Sequence, residues 1–208
     1  MTRRAAPARF RRATVTARAP GSFSEWMRLL LLSLACAALA ACGGARPDTR
    51  ARPMTDAEYL RSRDLMVPVH GVKPGQLRDT YSAPRSGGRA HLALDIMAKK
   101  GTRVVAADDG YIMRIVKNDL GGKTLYLTDP ARRIVYYYAH LDEWKYGLAE
   151  GQKVRRGQLL GTVGTTGNAP KDAPHLHFQV MRMTSAKQYW NGEPINPIPY
   201  LRQRGKER

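Results

Sequence analysis

Cysteine is almost absent: the 208 residues hold two, Cys36 and Cys42, and none follows position 42. Everything downstream is therefore without a disulfide or a thiolate metal site, so any metal there must sit on histidine and carboxylate. Long apolar runs are missing too. Residues 29–41 (LLLLSLACAALAA) are apolar and uncharged but only thirteen long, short of the ~20 that a membrane-spanning helix needs. That length suits the apolar core of an export signal. Acidic residues are few, 17 against 35 Lys and Arg, for a net charge of +18. From Cys42 onward the balance is 28 Lys and Arg against 16 Asp and Glu, or +12. Such a surplus attracts polyanions. No nucleic-acid-binding motif accompanies it, so the partners expected of an exported chain are anionic envelope lipids and a carboxylate-rich cell wall.

What is present begins with an export signal. Residues 1–25 are rich in Arg and Ala, and the apolar run then leads into Leu39-Ala40-Ala41-Cys42. That tetrapeptide resembles a lipobox, the cleavage and lipidation signal of bacterial lipoproteins, with Cys42 as the acylated residue. Residues 1–41 are thus read as leader and signal peptide. Met27-Arg28 makes a compact signal alone, so translation is expected to start at Met27, which the mass of the unprocessed precursor checks. Arg11-Arg12-Ala13-Thr14-Val15 is a poor twin-arginine match. Gly43 is not the aspartate that resembles an inner-membrane retention signal, so an outer-membrane lipoprotein facing the periplasm is expected if the cell is Gram-negative. Residues 43–54 are polar and broken by proline, a flexible tether. Thr55-Asp56-Ala57-Glu58 is a capping box that predicts a short helix over about 55–65. The boundaries read from this are 42–66 for the lipidated tether and helix, 67–200 for one domain, and 201–208 for a basic tail.

Within 67–200 no long amphipathic helix is found. Turn signals recur at short intervals, among them Pro74-Gly75, Asp109-Gly110, Gly121-Gly122 and Gly164. Between them lie runs rich in Val, Ile, Leu, Thr and Tyr: Thr102–Ala106, Tyr111–Val116, Lys123–Thr128, Ile134–His140 and Leu159–Val163. The fold predicted is mostly β, a twisted antiparallel sheet with one apolar face and one functional face, lining a narrow active-site groove.

Four of the five histidines lie in alternating segments. In Pro174-His175-Leu176-His177-Phe178, His175 and His177 share one face of a strand, while Leu176, Phe178 and Val180 share the other. In His91-Leu92-Ala93-Leu94-Asp95-Ile96 the leucines and Ile96 face the core, and His91 and Asp95 face away. In the run from Val135 to Leu141, Tyr136, Tyr138 and His140 share a face. Each segment alone is more often structural than functional. Together they put four histidines and an aspartate on faces that are not core, and those groups suit zinc hydrolysis. A catalytic zinc takes three protein ligands and keeps one position for water. Two neutral imidazoles and a carboxylate leave it a net +1, which brings the pKa of bound water to around 7 and supplies hydroxide. The remaining two groups can move a proton and stabilise an oxyanion.

His91-x-x-x-Asp95, Tyr138-Ala139-His140-Leu141 and His175-Leu176-His177-Phe178 resemble the three signature segments of the lysostaphin-type (LytM-like) zinc metallopeptidases, which cut peptide bonds in bacterial peptidoglycan. The similarity extends over about residues 67–181 and includes Gly101-Thr102-x-Val104 and Gly157-Gln158-x-Leu160-Gly161. The resemblance implies that His91, Asp95 and His177 bind Zn2+, that His140 and His175 are catalytic, and that the substrate is a peptide cross-link or stem peptide of peptidoglycan. Ala93 and Ala173 stand where the family usually has Gly, and Gln179 where Glu is common; none of these removes a ligand. His70 matches no signature and reads as a surface or satisfied histidine.

The main rival is a non-catalytic member that binds peptidoglycan and activates a cell-wall amidase; such relatives typically lack metal ligands, and here all are present. Gly157-Gln158-Leu159-Leu160-Gly161 resembles the turn of biotinyl or lipoyl carriers, but no lysine sits at a hairpin tip in the expected setting. A purely structural envelope lipoprotein explains the tether and not the site. The groove walls are expected from loops 82–90, 118–123, 142–150 and 183–192. Arg85, Arg89, Tyr138 and Trp144 are candidate substrate contacts, with Tyr146, Tyr189 and Trp190 beside them. With no oligoglycine-binding module recognised, direct cross-links between stem peptides are the expected target.

Overall fold

In the computed structural model, residues 52–84, 88 and 90–202 are described. The leader, Cys42, Arg85, Arg89 and the tail beyond Arg202 lie outside them. In chain order the elements are α1 (Asp56–Arg63), β1 (Leu65–Met66), β2 (Leu94–Met97), β3 (Arg103–Val105), β4 (Gly110–Asn118), β5 (Gly122–Thr128), β6 (Ile134–Trp144), β7 (Lys153–Val154), β8 (Leu159–Val163), β9 (His175–Arg182), β10 (Glu193–Ile195) and β11 (Leu201–Arg202). The sheet is open and antiparallel, in the order β10-β9-β6-β5-β4-β7, with β2 on β9 and β8 joining β3 to β6. A separate parallel pair joins β1 to β11.

β6 organises the sheet because it is long enough to hold two partners along one edge. Ile134–Ala139 pair with β9, and Leu141–Trp144 pair with β8. His140 sits at the handover, with a left-handed backbone (φ 61°). On the opposite edge the register jumps from Leu125↔Tyr138 to Lys123↔Leu141. Two residues of β6, Ala139 and His140, therefore oppose one residue of β5, Thr124, which is a β-bulge. The extra residue flips the phase of the alternation.

That flip corrects the sequence expectation for this strand. Tyr136 and Tyr138 do not share the face of His140; they are 1% and 0% exposed, inside the core. Tyr137 and Ala139 face the groove instead. Tyr138 is not a substrate contact: it packs on Phe178 (ring centroids 5.1 Å) and its hydroxyl accepts the Ala107 N–H at 2.9 Å. Tyr138→Phe orphans a buried N–H, which costs about 1–3 kcal/mol. The expected result is a lower urea midpoint with zinc content and specific activity unchanged; a groove residue would show the reverse. Trp144 is also not in the groove. It packs against the core, donates Nε1–H to the Thr124 carbonyl at 3.3 Å, and carries Lys123 over its ring.

The core lies on the other face of the sheet. Leu94, Ile96, Leu125, Leu127, Leu176, Phe178 and Val180 are all 2% exposed or less, each contributing about 1.5–3 kcal/mol of burial. β2 starts at Leu94, so the predicted alternation holds only from there. Leu92 adopts φ 56° and is outside the core cluster.

Eight residues are too few for a helix to stand alone, and α1 is pinned at every turn. The capping box forms, with Thr55 N–H donating to Glu58 at 2.8 Å and Glu58 N–H to Thr55 Oγ1 at 3.3 Å. Leu60 is wholly buried. Arg63 makes a two-pronged pair with Asp108 at 2.8 and 2.9 Å, Arg133 bonds Asp56 at 2.7 Å, and Tyr59 donates its hydroxyl to Asp129. The compact unit accordingly starts at Pro53, ahead of the Val67 boundary read from the sequence.

Candidate active site

β2 and β9 pair with Asp95 opposite His177, which places a carboxylate and an imidazole side by side on the face away from the core. His91 enters from the loop before β2, and Thr80 sets its pose. The Thr80 carbonyl accepts from His91 Nδ1–H at 2.9 Å, which turns the Nε2 lone pair inward. The Thr80 hydroxyl accepts the Asp95 N–H at 2.9 Å, fixing the start of β2 as well. His91 Nε2, Asp95 Oδ1 and His177 Nδ1 then form a triangle with edges of 3.0, 3.1 and 3.1 Å.

This donor set fits zinc. Tetrahedral bonds of about 2.0–2.1 Å put ligand atoms about 3.3 Å apart, so an ion needs to spread the triangle by only a few tenths of an ångström. Two imidazole nitrogens and a carboxylate oxygen converging on one point also match zinc's preference for nitrogen and oxygen ligands. The protonation states suit it too. Burial pushes the Asp95 carboxyl up, but the His177 and His91 imidazoles beside it outweigh this and hold it well below the usual carboxylate range. Burial lowers His177, with Asp95 opposing.

The other two histidines present Nε2 to the same groove. His175 donates Nδ1–H to the Ala173 carbonyl at 2.8 Å, and its Nε2 lies 3.8 Å from Asp95 Oδ1. His140 donates Nδ1–H to the Thr166 carbonyl at 2.9 Å. Its ring is 5.0 Å from that of His175 and 5.6 Å from that of His177. Burial drives His140 down to about 4, against the pull of the Thr166 carbonyl, so at neutral pH it is a proton acceptor. The bulge is what delivers it here.

The groove encloses about 750 Å³. One wall carries Tyr137, Tyr126 and Trp190, and Tyr189 behind them completes an aromatic ladder, Tyr137–Tyr126–Tyr189–Trp190, with centroid steps of 4.4, 4.8 and 5.0 Å. Trp190 ends it at 55% exposed, and Leu120, 73% exposed, stands on the hairpin between β4 and β5. Gln179 also lines the groove and donates Nε2–H to the Leu92 carbonyl. Tyr146 is 94% exposed, and it and the exposed His70 are both outside the groove lining. The sequence reading missed Thr80, Tyr137 and Thr166. The first and last act through backbone carbonyls and hydroxyls, which leave no motif, and Tyr137 was hidden by the phase flip.

An open antiparallel sheet thus carries the His91–Asp95–His177 cluster with His140 and His175 beside it. The sequence pattern of peptidase family M23 matches residues 89–197, and the chain belongs to that family. Over 140 residues it is 33% identical to the glycyl-glycine endopeptidase ALE-1 of Staphylococcus capitis, a match covering 66% of this chain and 36% of that protein. It is 28% identical over 130 residues to the murein hydrolase activator NlpD of Escherichia coli, covering 62% and 30%. The chain thus spans about a third of the length of these relatives. The catalytic domain of the antimicrobial peptidase lysostaphin from Staphylococcus simulans aligns with a TM-score of 0.51 at 28% identity, over 70% of this chain and 96% of that domain.

Proposed function

We propose that the domain is a zinc-dependent endopeptidase that hydrolyses peptide cross-links or stem peptides of bacterial peptidoglycan. The observation that carries this reading is the His91–Asp95–His177 triangle with the Nε2 atoms of His140 and His175 turned into the same groove. An endopeptidase among the relatives supports it. A zinc ion held by the triangle supplies Lewis acidity to the scissile carbonyl and acidifies water. The rest falls to the chain's own groups. Each catalytic histidine is locked as the Nδ1–H tautomer by a carbonyl, so its Nε2 takes a proton from the attacking water or, once protonated, gives one to the developing oxyanion or the leaving amine. Apart from Asp95 of the triangle, the described residues around the groove include no Lys, Arg, Asp or Glu, which suits an extended stretch of peptide backbone laid along the aromatic wall.

Digestion of purified sacculi, with products identified by mass spectrometry, is the test. New amine and carboxyl termini in stem peptides, abolished by chelation and restored by zinc, are expected. The NlpD match favours a second reading, an activator of a separate hydrolase. A wild-type protein that binds no zinc, releases nothing and stimulates an amidase establishes that reading instead.

For location we propose an envelope lipoprotein acylated at Cys42, in the outer membrane facing the periplasm if the cell is Gram-negative. Cys42→Ala is expected to move the protein out of the membrane fraction; unchanged fractionation sinks the anchor.

A further inference from the structure

We propose that Thr166 is a positioning residue for His140, acting through a hydroxyl inserted into the β5–β6 ladder. The inference rests on the hydrolase reading above. Lys123 and Leu141 are register partners, yet the Lys123 N–H donates to Thr166 Oγ1 at 2.9 Å, and that hydroxyl donates to the Leu141 carbonyl at 2.7 Å. A side-chain oxygen thus stands between two strands where a direct ladder bond would otherwise run. The place is the bulge that carries His140, one residue before Leu141.

Three further contacts converge there. The Thr166 carbonyl takes the His140 Nδ1–H at 2.9 Å. The Gly121 carbonyl takes the His140 backbone N–H at 2.7 Å, and the Leu120 carbonyl takes the Asn168 N–H at 3.0 Å. The segment 165–168 and the β4–β5 hairpin are pressed together so closely that a Cβ on Gly122, itself at φ 67°, would lie 2.2 Å from Thr166 Oγ1.

The chain of consequence is short. The hydroxyl fixes the distance between Thr166 and the bulge, and so fixes where the Thr166 carbonyl lies relative to the imidazole. That carbonyl selects the Nδ1–H tautomer and leaves the Nε2 lone pair in the groove. Without the hydroxyl, Lys123 N–H and Leu141 C=O lose their shared partner, the strands close or a water enters, and the carbonyl shifts under the ring. The Thr166 hydroxyl and carbonyl bond only Lys123, Leu141 and His140 and none of His91, Asp95 or His177, so metal binding is expected to be spared.

The test compares Thr166→Val, which keeps the shape and removes the hydroxyl, with Thr166→Ser, which keeps the hydroxyl. Thr166→Ala repeats the removal if the valine variant does not fold. Zinc content, kcat and KM on a soluble cross-linked muropeptide are measured, together with long-range proton–nitrogen spectra of 15N-histidine-labelled zinc protein. Thr166→Val is expected to lose about 10–100-fold in kcat with KM within about twofold, the range for a group that orients another. Zinc stays stoichiometric, and the His140 ring leaves the pure Nδ1–H state. Thr166→Ser retains wild-type kcat within about threefold. Wild-type kcat and an unchanged His140 tautomer in Thr166→Val overturn the proposal, as does a loss in Thr166→Ser equal to that in Thr166→Val. A wild-type protein that cuts nothing is a different failure, that of the hydrolase reading.

Discussion

Alanine at any one of His91, Asp95 or His177 is expected to abolish zinc binding and peptidoglycan cleavage together. The three ligand atoms stand 3.0–3.1 Å apart and come from two strands and a loop. Removing one leaves two protein ligands, too few for a tight site. The same loss reads out as stability. A ligand that binds only the folded state adds RT ln(1 + [L]/Kd), about 2.7 kcal/mol at a hundredfold excess over Kd. Wild type should therefore gain several degrees in Tm on zinc titration, and each variant should gain nothing. The metal-free proteins should differ from one another by less than the zinc-loaded ones, because the gain from zinc is then missing in all of them. Metal analysis and calorimetry on four proteins, wild type and the three variants, give the answer. A variant that keeps stoichiometric zinc removes that residue from the ligand set.

Strand alternation in the sequence offered four histidines and Asp95 as one pool of ionisable groups, and the resemblance of their three segments to a known family picked His91, Asp95 and His177 out of it. His175 and His177 share a face because they are two residues apart on β9, whereas His91 reaches the cluster from a loop and Asp95 meets His177 only through the pairing of β2 with β9. The antiparallel sheet was legible through apolar runs and turn residues. What was not legible depends on pairing. The bulge at His140 lies where β6 passes from β9 to β8, and those partners begin 35 and 19 residues further along the chain. A strict alternation counted back from His140 puts Tyr136 and Tyr138 in the groove; one inserted residue sends them to the core and brings Tyr137 out. Leu92 also departs from its pattern, since β2 begins three residues later than the alternation from His91 suggests. Trp144 reads as a loop aromatic until β8 is seen to cover it. Thr80 and Thr166 were invisible because threonine is common in strands and their work is done by a carbonyl as much as by a side chain. The docking of α1 was hidden for a different reason: Asp108, Asp129 and Arg133 look like turn and surface charges until the helix is laid against them.

The remaining large effect separates catalysis from metal binding. His140 and His175 are expected to be dispensable for zinc and indispensable for turnover. Neither belongs to the triangle: His175 Nε2 stands 3.8 Å from Asp95 Oδ1, and each of the two has its Nδ1–H held by a carbonyl. Loss of a positioned acid–base group costs about 10²–10⁴ in rate, which is about 2.7–5.5 kcal/mol of barrier. The choice of variant matters at His140, whose backbone is left-handed at φ 61°. Alanine tolerates that conformation poorly, whereas asparagine visits it readily. His140→Asn is thus the cleaner test of chemistry, and His140→Ala mixes chemistry with backbone strain. At His175, an ordinary strand position, His175→Ala serves. Both His140→Asn and His175→Ala should bind zinc as wild type does, melt within a few degrees of it when loaded, and fall by about two to four orders of magnitude in kcat on sacculi or muropeptides. A metal-free His175→Ala beside a zinc-loaded His177→Ala reverses the assignment within the pair. Full activity in either catalytic variant removes that histidine from the mechanism. If wild type itself cleaves nothing and stimulates an amidase, and that stimulation survives all five substitutions, the activator reading prevails.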